Sequence, residues 1–164
     1  MNKTLPILIF GYGNLSRGDD ALGPLLLEMI QNLVAPGSVE ILNDFQLQVE
    51  HALDLDDRDL VLFVDASVAC PGAFDFKELH PDHDKSYTTH AMSPAAVLQV
   101  YQTIKHQPPP PCFLLSIQGE QFELGSDMSP KARDNLLQAC DYAERLLKHP
   151  DVDTWRDLSE KITH

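Results

Sequence analysis

The sequence predicts an α/β fold, a three-layer sandwich in which an open, mostly parallel sheet is covered by helices on both faces. Two observations carry that prediction. About five short strand-like runs alternate with about four helix-like segments, the pattern of a parallel sheet with helical crossovers. The run Leu60-Val61-Leu62-Phe63-Val64 has no polar interruption before Asp65, as expected of a strand buried on both faces. At 164 residues the chain fits one ordinary domain, which buries roughly 70% of its unfolded surface and needs no staple.

Each element has a local reason. Leu5 to Phe10 is a short apolar run ending in Gly11-Tyr12-Gly13-Asn14, a strand that runs into a tight turn. Leu22, Leu25, Leu26, Met29, Ile30 and Leu33 then recur at helical spacing, with Asp19 or Asp20 placed to cap and Pro24 in the first turn. Pro36-Gly37 stops that helix, Val39 to Leu42 reads as a second strand, and Gln46 to Leu55 has helical character. Phe74 to Leu79 alternates apolar and polar residues, as a half-exposed or edge strand does.

Ser93-Pro94 and Ser129-Pro130 each put a capping hydroxyl before a proline at the first helical position. The first opens a helix with Val97, Leu98, Tyr101 and Ile104 on one face. The second opens a longer helix carrying Leu136, Leu137, Cys140, Ala143 and Leu147. Between them Pro108 to Pro111 form a stiff connector into a strand, Phe113 to Ile117. The organisation expected is a single domain over 1–149 and a polar tail over 150–164. Trp155 is the tail's only large anchor, so it is either a short docked helix or partly disordered.

Composition narrows the function classes. Hydrophobic residues make up 43% and charged residues 23% of the chain, ordinary for a globular domain. The 25 acidic against 12 basic residues give a formal net charge of −13. Such a surface repels phosphate backbones and anionic headgroups, so neither nucleic acid nor a membrane is expected as partner; a cation or a basic protein surface suits it better. The same charge favours a monomer. No run approaches the ~20 apolar residues of a membrane span, and Leu5 to Phe10 is too short for a signal-peptide core. Cys70, Cys112 and Cys140 are an odd set without Cys-x-x-Cys spacing. They fit small core residues in a reducing cytoplasm better than a disulfide or zinc framework.

In an open α/β sheet ligands bind at the carboxyl ends of the strands. Reading outward from those ends gives Gly11 to Asp20 after the first strand, Asp65-Ala66-Ser67 after the central one, and Thr88 to Met92 before the Ser93 helix. The Gly-x-Gly start does not complete a dinucleotide fingerprint, because position 16 is Ser and two carboxylates stand where a pyrophosphate would sit. A paired acid at a helix start is suited to a cation, although one Asp suffices as a cap. Asp65 is either a turn cap or a site carboxylate, and His90 alone fits a surface or packing role. Together, Asp20, Asp65 and His90 form an oxygen, oxygen and nitrogen set suited to a borderline divalent metal with open positions. A serine-hydrolase arrangement would need Ser16 or Ser67, but there is no Gly-x-Ser-x-Gly elbow. Cys70 has no adjacent base and reads as an inert thiol.

These motifs resemble a known family. Gly11-Tyr12-Gly13-Asn14-Leu15-Ser16-Arg17-Gly18-Asp19-Asp20-Ala21-Leu22-Gly23 resembles the N-terminal signature of the hydrogenase maturation proteases, endopeptidases that trim the C-terminus of nickel-iron hydrogenase large subunits. Val64-Asp65-Ala66 with Pro71-Gly72 resembles the second motif, and His90-Ala91-Met92-Ser93-Pro94 the histidine motif. Gln118 to Gly125 with Met128-Ser129-Pro130 resembles the last strand and helix entry, so the likeness runs from about Ile7 to Leu147.

The resemblance implies a twisted five-stranded sheet between helices. It also implies that Asp20, Asp65 and His90 are metal-contacting and catalytic positions. Some members have Glu at the first of these; Asp20 keeps the charge with a shorter reach. Asn43-Asp44-Phe45-Gln46 stands where many members have Asp-Gly-Gly-Thr. Asp44 matches the acid there or is a plain turn residue. The backbone around Gly11, Gly13 and Asn14 is a possible support for the scissile carbonyl.

The function implied is removal of a C-terminal peptide from the nickel-loaded large-subunit precursor. Nickel is then supplied by the substrate and held weakly or not at all by the free protein. The alternative is a nonenzymatic, nickel-dependent checkpoint chaperone on the same precursor.

Overall fold

The computed structural model describes residues 4–34, 37–82 and 92–162. Strand β1 (Ile7–Tyr12) leads through a 3-10 turn, Gly18–Ala21, into helix α1 (Leu22–Ile30). Strand β2 (Val39–Asp44) and a second 3-10 segment, Val49–Leu55, precede β3 (Leu60–Ser67) and β4 (Phe74–Leu79). Helix α2 (Pro94–Lys105), strand β5 (Cys112–Gln118) and helices α3 (Pro130–Lys148) and α4 (Val152–Lys161) complete the chain.

The five strands form one sheet in the order β2-β1-β3-β5-β4. The pairs β1–β2, β1–β3 and β3–β5 are parallel. Only β4 runs antiparallel, beside β5 at the edge. That placement explains its alternating pattern, since an edge strand keeps one side toward water.

Successive residues of each strand point to opposite faces, and the sheet uses this to build two cores. Ile7, Ile9, Leu62, Val64, Phe113 and Leu115 pack with α1, α3 and α4. Leu8, Phe10, Val61, Phe63, Cys112 and Leu114 pack on the other face with α2 and the Leu47–Leu55 region. The result is the three-layer α/β sandwich with a mostly parallel sheet that the alternation of elements predicts.

Both Ser-Pro caps form as read: Ser93 Oγ accepts from Ala96 N and Ser129 Oγ from Ala132 N. The first helix differs. It ends at Ile30, and Leu33 lies beyond it, 47% exposed. Neither Asp19 nor Asp20 caps it: the residue before α1 is Ala21, which makes no side-chain cap. The 3-10 turn supplies the entry, and both acids are used elsewhere. Ile104 and Leu137, read as core-facing, are exposed at the margins of their helices' apolar stripes.

The tail after Pro150 is a docked helix. Asp151 caps α4 by accepting from Thr154 N and Thr154 Oγ1. Trp155 is fully buried, edge-on to Phe76 and Phe113, and its Nε1 donates to the Leu146 carbonyl at 3.0 Å. No helix among the described residues is long and apolar enough to cross a membrane.

Candidate active site

Three parallel strands deliver the candidate residues to one edge. The end of β1 is tied to β2 by Gly13 N donating to the Asp44 carbonyl at 3.1 Å. Gly13 has φ +149°, and a Cβ there would lie 2.0 Å from the Asp20 carbonyl oxygen, so the turn admits only glycine. The chain then folds back on itself: Ser16 N donates to Asn14 Oδ1, Arg17 N to the Asn14 carbonyl, and Asp20 N to the Arg17 carbonyl. Asp20 closes this loop, its Oδ2 accepting from Asn14 N at 2.8 Å.

The adjacent acids are divided between two jobs. Asp19 is fully buried and accepts four hydrogen bonds, from Glu120 N, Gln121 N, Ser129 N and Ser129 Oγ, all at 2.8–3.0 Å. Burial alone would raise its pKa, but those donors outweigh it and hold the carboxyl below its ordinary value. Asp19 therefore locks the β1–α1 loop to the β5–α3 loop, while Asp20 is left partly exposed at the edge.

Asp65 ends the apolar part of β3, beside Ser116 of β5 in register. The Tyr12 hydroxyl donates to its Oδ2 at 2.9 Å. Its Oδ1 is buried with no hydrogen-bond partner among the described residues. Burial raises the Asp65 carboxyl from 3.8 to about 6, against the pull of the Ser116 and Tyr12 hydroxyls and the Lys77 charge. The Asp20 charge adds to that rise, and it also raises Tyr12 after burial and Asp65 have done so. Asp20, Tyr12 and Asp65 are thus one electrostatic group.

Asp44 stands at the end of β2, opposite Tyr12 in register. Its Oδ2 meets His51 Nε2 at 3.1 Å. Because His51 Nδ1 accepts from Gln48 N, the ring proton sits on Nε2 and points at Asp44. Asp44, Gly13, Leu15 and Phe45 line a cleft of 290 Å³. His90 lies outside the described residues.

The competing nucleophiles are poorly placed. Ser67 Oγ accepts from Ala69 N at 3.1 Å. Cys70 is buried, its Sγ faces the Ser116 carbonyl at 3.6 Å, and burial raises its pKa, which opposes thiolate formation.

Sequence reasoning picked out Asp20, Asp65 and Asp44 but missed Tyr12 and His51 as their partners. Tyr12 sits within the glycine-rich motif and could have been flagged from its strand-end position. His51 carries no local signal, because only the fold brings it to Asp44.

No protein-family model matches the chain, and no curated protein matches it. Solved structures do. The NiFe hydrogenase maturation protease HycI from Thermococcus kodakarensis KOD1 is 26% identical with a TM-score of 0.66, the match covering 90% of this chain and 95% of that one. The hydrogenase maturating endopeptidase HybD from E. coli is 22% identical with a TM-score of 0.69, covering 89% and 94%. The hydrogenase 2 maturation peptidase from Thaumarchaeota archaeon SCGC_AB-539-E09 is 18% identical with a TM-score of 0.61, covering 86% and 97%. The fold of this chain is thus similar to that of hydrogenase maturation proteases over nearly the whole length of both.

Proposed function

We propose that this protein is a peptide hydrolase that removes a C-terminal peptide from the nickel-loaded precursor of a nickel-iron hydrogenase large subunit. The observation that carries the reading is the Asp20–Tyr12–Asp65 group at the sheet's ligand edge, in a chain with the maturation-protease fold. The nickel belongs to the substrate, and its expected contacts are Asp20, Asp65 and His90. The donor set fits a borderline cation, and Asp65 Oδ1 is a buried acceptor with no partner among the described residues. Bound there, the ion would polarise the scissile carbonyl and serve as the recognition element.

The chain's own residues do the rest. Tyr12 holds Asp65 Oδ2, and Oδ1 has no partner among the described residues. Before the substrate's nickel arrives, burial holds the Asp65 carboxyl up at about 6, and Asp65 is the carboxylate assigned as base. It takes a proton from the water as the oxygen adds to the carbonyl carbon. It returns that proton to the amine as the C–N bond breaks. Asp20 adds the second negative charge of the group. Asp44, oriented by His51, lines the cleft that the peptide enters. Action in the cytoplasm as a monomer is part of the same proposal.

The test compares nickel-loaded and nickel-free precursor by mass spectrometry after incubation with the protein. Loss of one C-terminal peptide from the loaded form alone supports the reading. A stable complex with no change in mass would instead identify a checkpoint chaperone on the same cleft.

A further inference from the structure

Large apolar side chains are costly to leave in water, each forgoing about 1.5–3 kcal/mol of burial. Four are left strongly exposed around the site: Leu15 at 59%, Phe45 at 72%, Val68 at 70% and Leu124 at 67%. They follow β1, β2, β3 and β5 respectively, one on the loop beyond each parallel strand. Leu15 and Phe45 line a cleft of 290 Å³ and Val68 one of 490 Å³, and a third of 650 Å³ is lined by Arg17 and Glu120 to Glu123, the segment before Leu124. The charged residues lining these clefts are Asp44, Glu120 and Glu123, against Arg17 and Lys131.

We propose that Leu15, Phe45, Val68 and Leu124 form a docking ring for the folded body of the protein substrate, through a surface patch that is apolar at its centre and carries Lys or Arg around it. The proposal rests on the peptidase reading and names the surface by which that substrate is recognised. The four residues span the β2-β1-β3-β5 width of the sheet, about 14 Å at the usual strand spacing, and come from four separate loops. Charge disfavours a second copy of this chain as the occupant, because its net charge of −13 would meet the same acidic surround. A basic partner is attracted by that surround, and the apolar ring supplies the desolvated contact at its centre.

The experiment measures precursor cleavage by wild type, Phe45→Ser, Val68→Ser and, as a control, Ile104→Ser. Ile104 is exposed near the C-terminal end of α2, which leads to the start of β5 at the opposite edge of the sheet. Each ring variant is expected to raise KM about tenfold, with kcat within twofold and an unchanged melting temperature; Ile104→Ser changes neither constant. Glu123→Lys should raise KM at low salt, with the effect fading at high salt. Unchanged KM in the ring variants, or an equal rise in Ile104→Ser, overturns the ring. If wild type binds the precursor without cutting it, the peptidase reading falls. The ring is then judged by the dissociation constant, which its variants must raise by the same factor. Self-association of wild type that the ring variants abolish, without loss of precursor affinity, overturns the proposal in favour of a dimer.

Discussion

Asp19 accepts both the backbone N–H and the hydroxyl of Ser129, each at 2.8 Å, across 110 residues of chain. The contact joins the first motif of the sequence to the entry of α3 and fixes the loop that carries Asp20. Asp19 Oδ2 also takes the Glu120 and Gln121 N–H groups, so one buried carboxylate satisfies donors from two segments at once.

Neutralising each of the adjacent acids should therefore give opposite phenotypes. Asp19→Asn turns an amide N–H toward buried donors and is expected to cost about 2–4 kcal/mol, a fall of about 5–15 °C in melting temperature. Asp20→Asn can still accept from Asn14 N and should change stability by less than about 1 kcal/mol. The activity pattern is reversed: Asp20→Asn abolishes cleavage while folded and able to bind precursor. Thermal melts and a cleavage assay on both variants check this. Because the Asp19 pKa is lowered by folding, its contribution is present above the unfolded-state value. The gap between wild type and Asp19→Asn should close as pH falls through the folded value.

Asp65 works in the other direction. Its carboxyl is raised from 3.8 to about 6, so the folded state holds the proton more tightly than the unfolded chain. Ionised Asp65 consequently destabilises the fold, with a cost that grows between pH 3.8 and about 6 and is complete above it. The shift corresponds to at most about 3 kcal/mol. Asp65→Asn keeps an acceptor for Tyr12 and should be more stable than wild type by about 1–3 kcal/mol at pH 7–8. The two should converge below about pH 4, and cleavage should be lost throughout. Urea unfolding across that range measures the difference. In wild type, cleavage that uses Asp65 as base should decline as pH drops through about 6, and protonation of His90 would act in the same direction.

The His51–Asp44 pair separates stability from function in a third way. His51 is buried, forms a reciprocal capping box with Gln48 and lies edge-on to Phe10 at 4.7 Å. His51→Ala should cost about 2 kcal/mol, through the lost cap and the cavity beside Phe10. The Asp44 side chain is 46% exposed, so Asp44→Ala should cost less than about 1 kcal/mol. If His51 orients Asp44 toward the peptide, both variants raise KM by similar factors and the double variant adds nothing further; a double-mutant cycle measures that coupling.

The C-terminal helix is expected to be required for folding. Trp155→Ala removes a fully buried indole packed edge-on against two rings, and leaves the Leu146 carbonyl with the His149 N–H alone in place of two donors, at a cost of about 3–5 kcal/mol. Trp155→Phe keeps the packing but not the hydrogen bond and should cost less. Denaturation midpoints of the two variants distinguish them.

The sequence by itself determined the layers of this protein. Apolar runs such as Leu60 to Val64 can only be satisfied inside a covered sheet, and the two Ser-Pro pairs set helix starts through local hydrogen bonds that need no tertiary context. The positions of Gly11 to Asp20 and Val64-Asp65-Ala66 were legible too, because each segment lies at a strand end that the hydrophobic pattern marks. What the sequence could not assign was the division of labour between Asp19 and Asp20. Both read as caps, and neither caps α1. Their roles depend on which buried donors come within 3 Å, and those belong to residues over a hundred positions away. The same holds for Tyr12 against Asp65, far apart in the chain, and for His51 against Asp44, near in sequence but paired only by the way the chain folds after β2. It holds again for Phe45, Val68 and Leu124, which look like any other apolar residues until the fold fails to cover them. Local propensity and apolar periodicity act over a few residues and fix the elements. Burial and hydrogen-bond satisfaction are decided only when the loops meet.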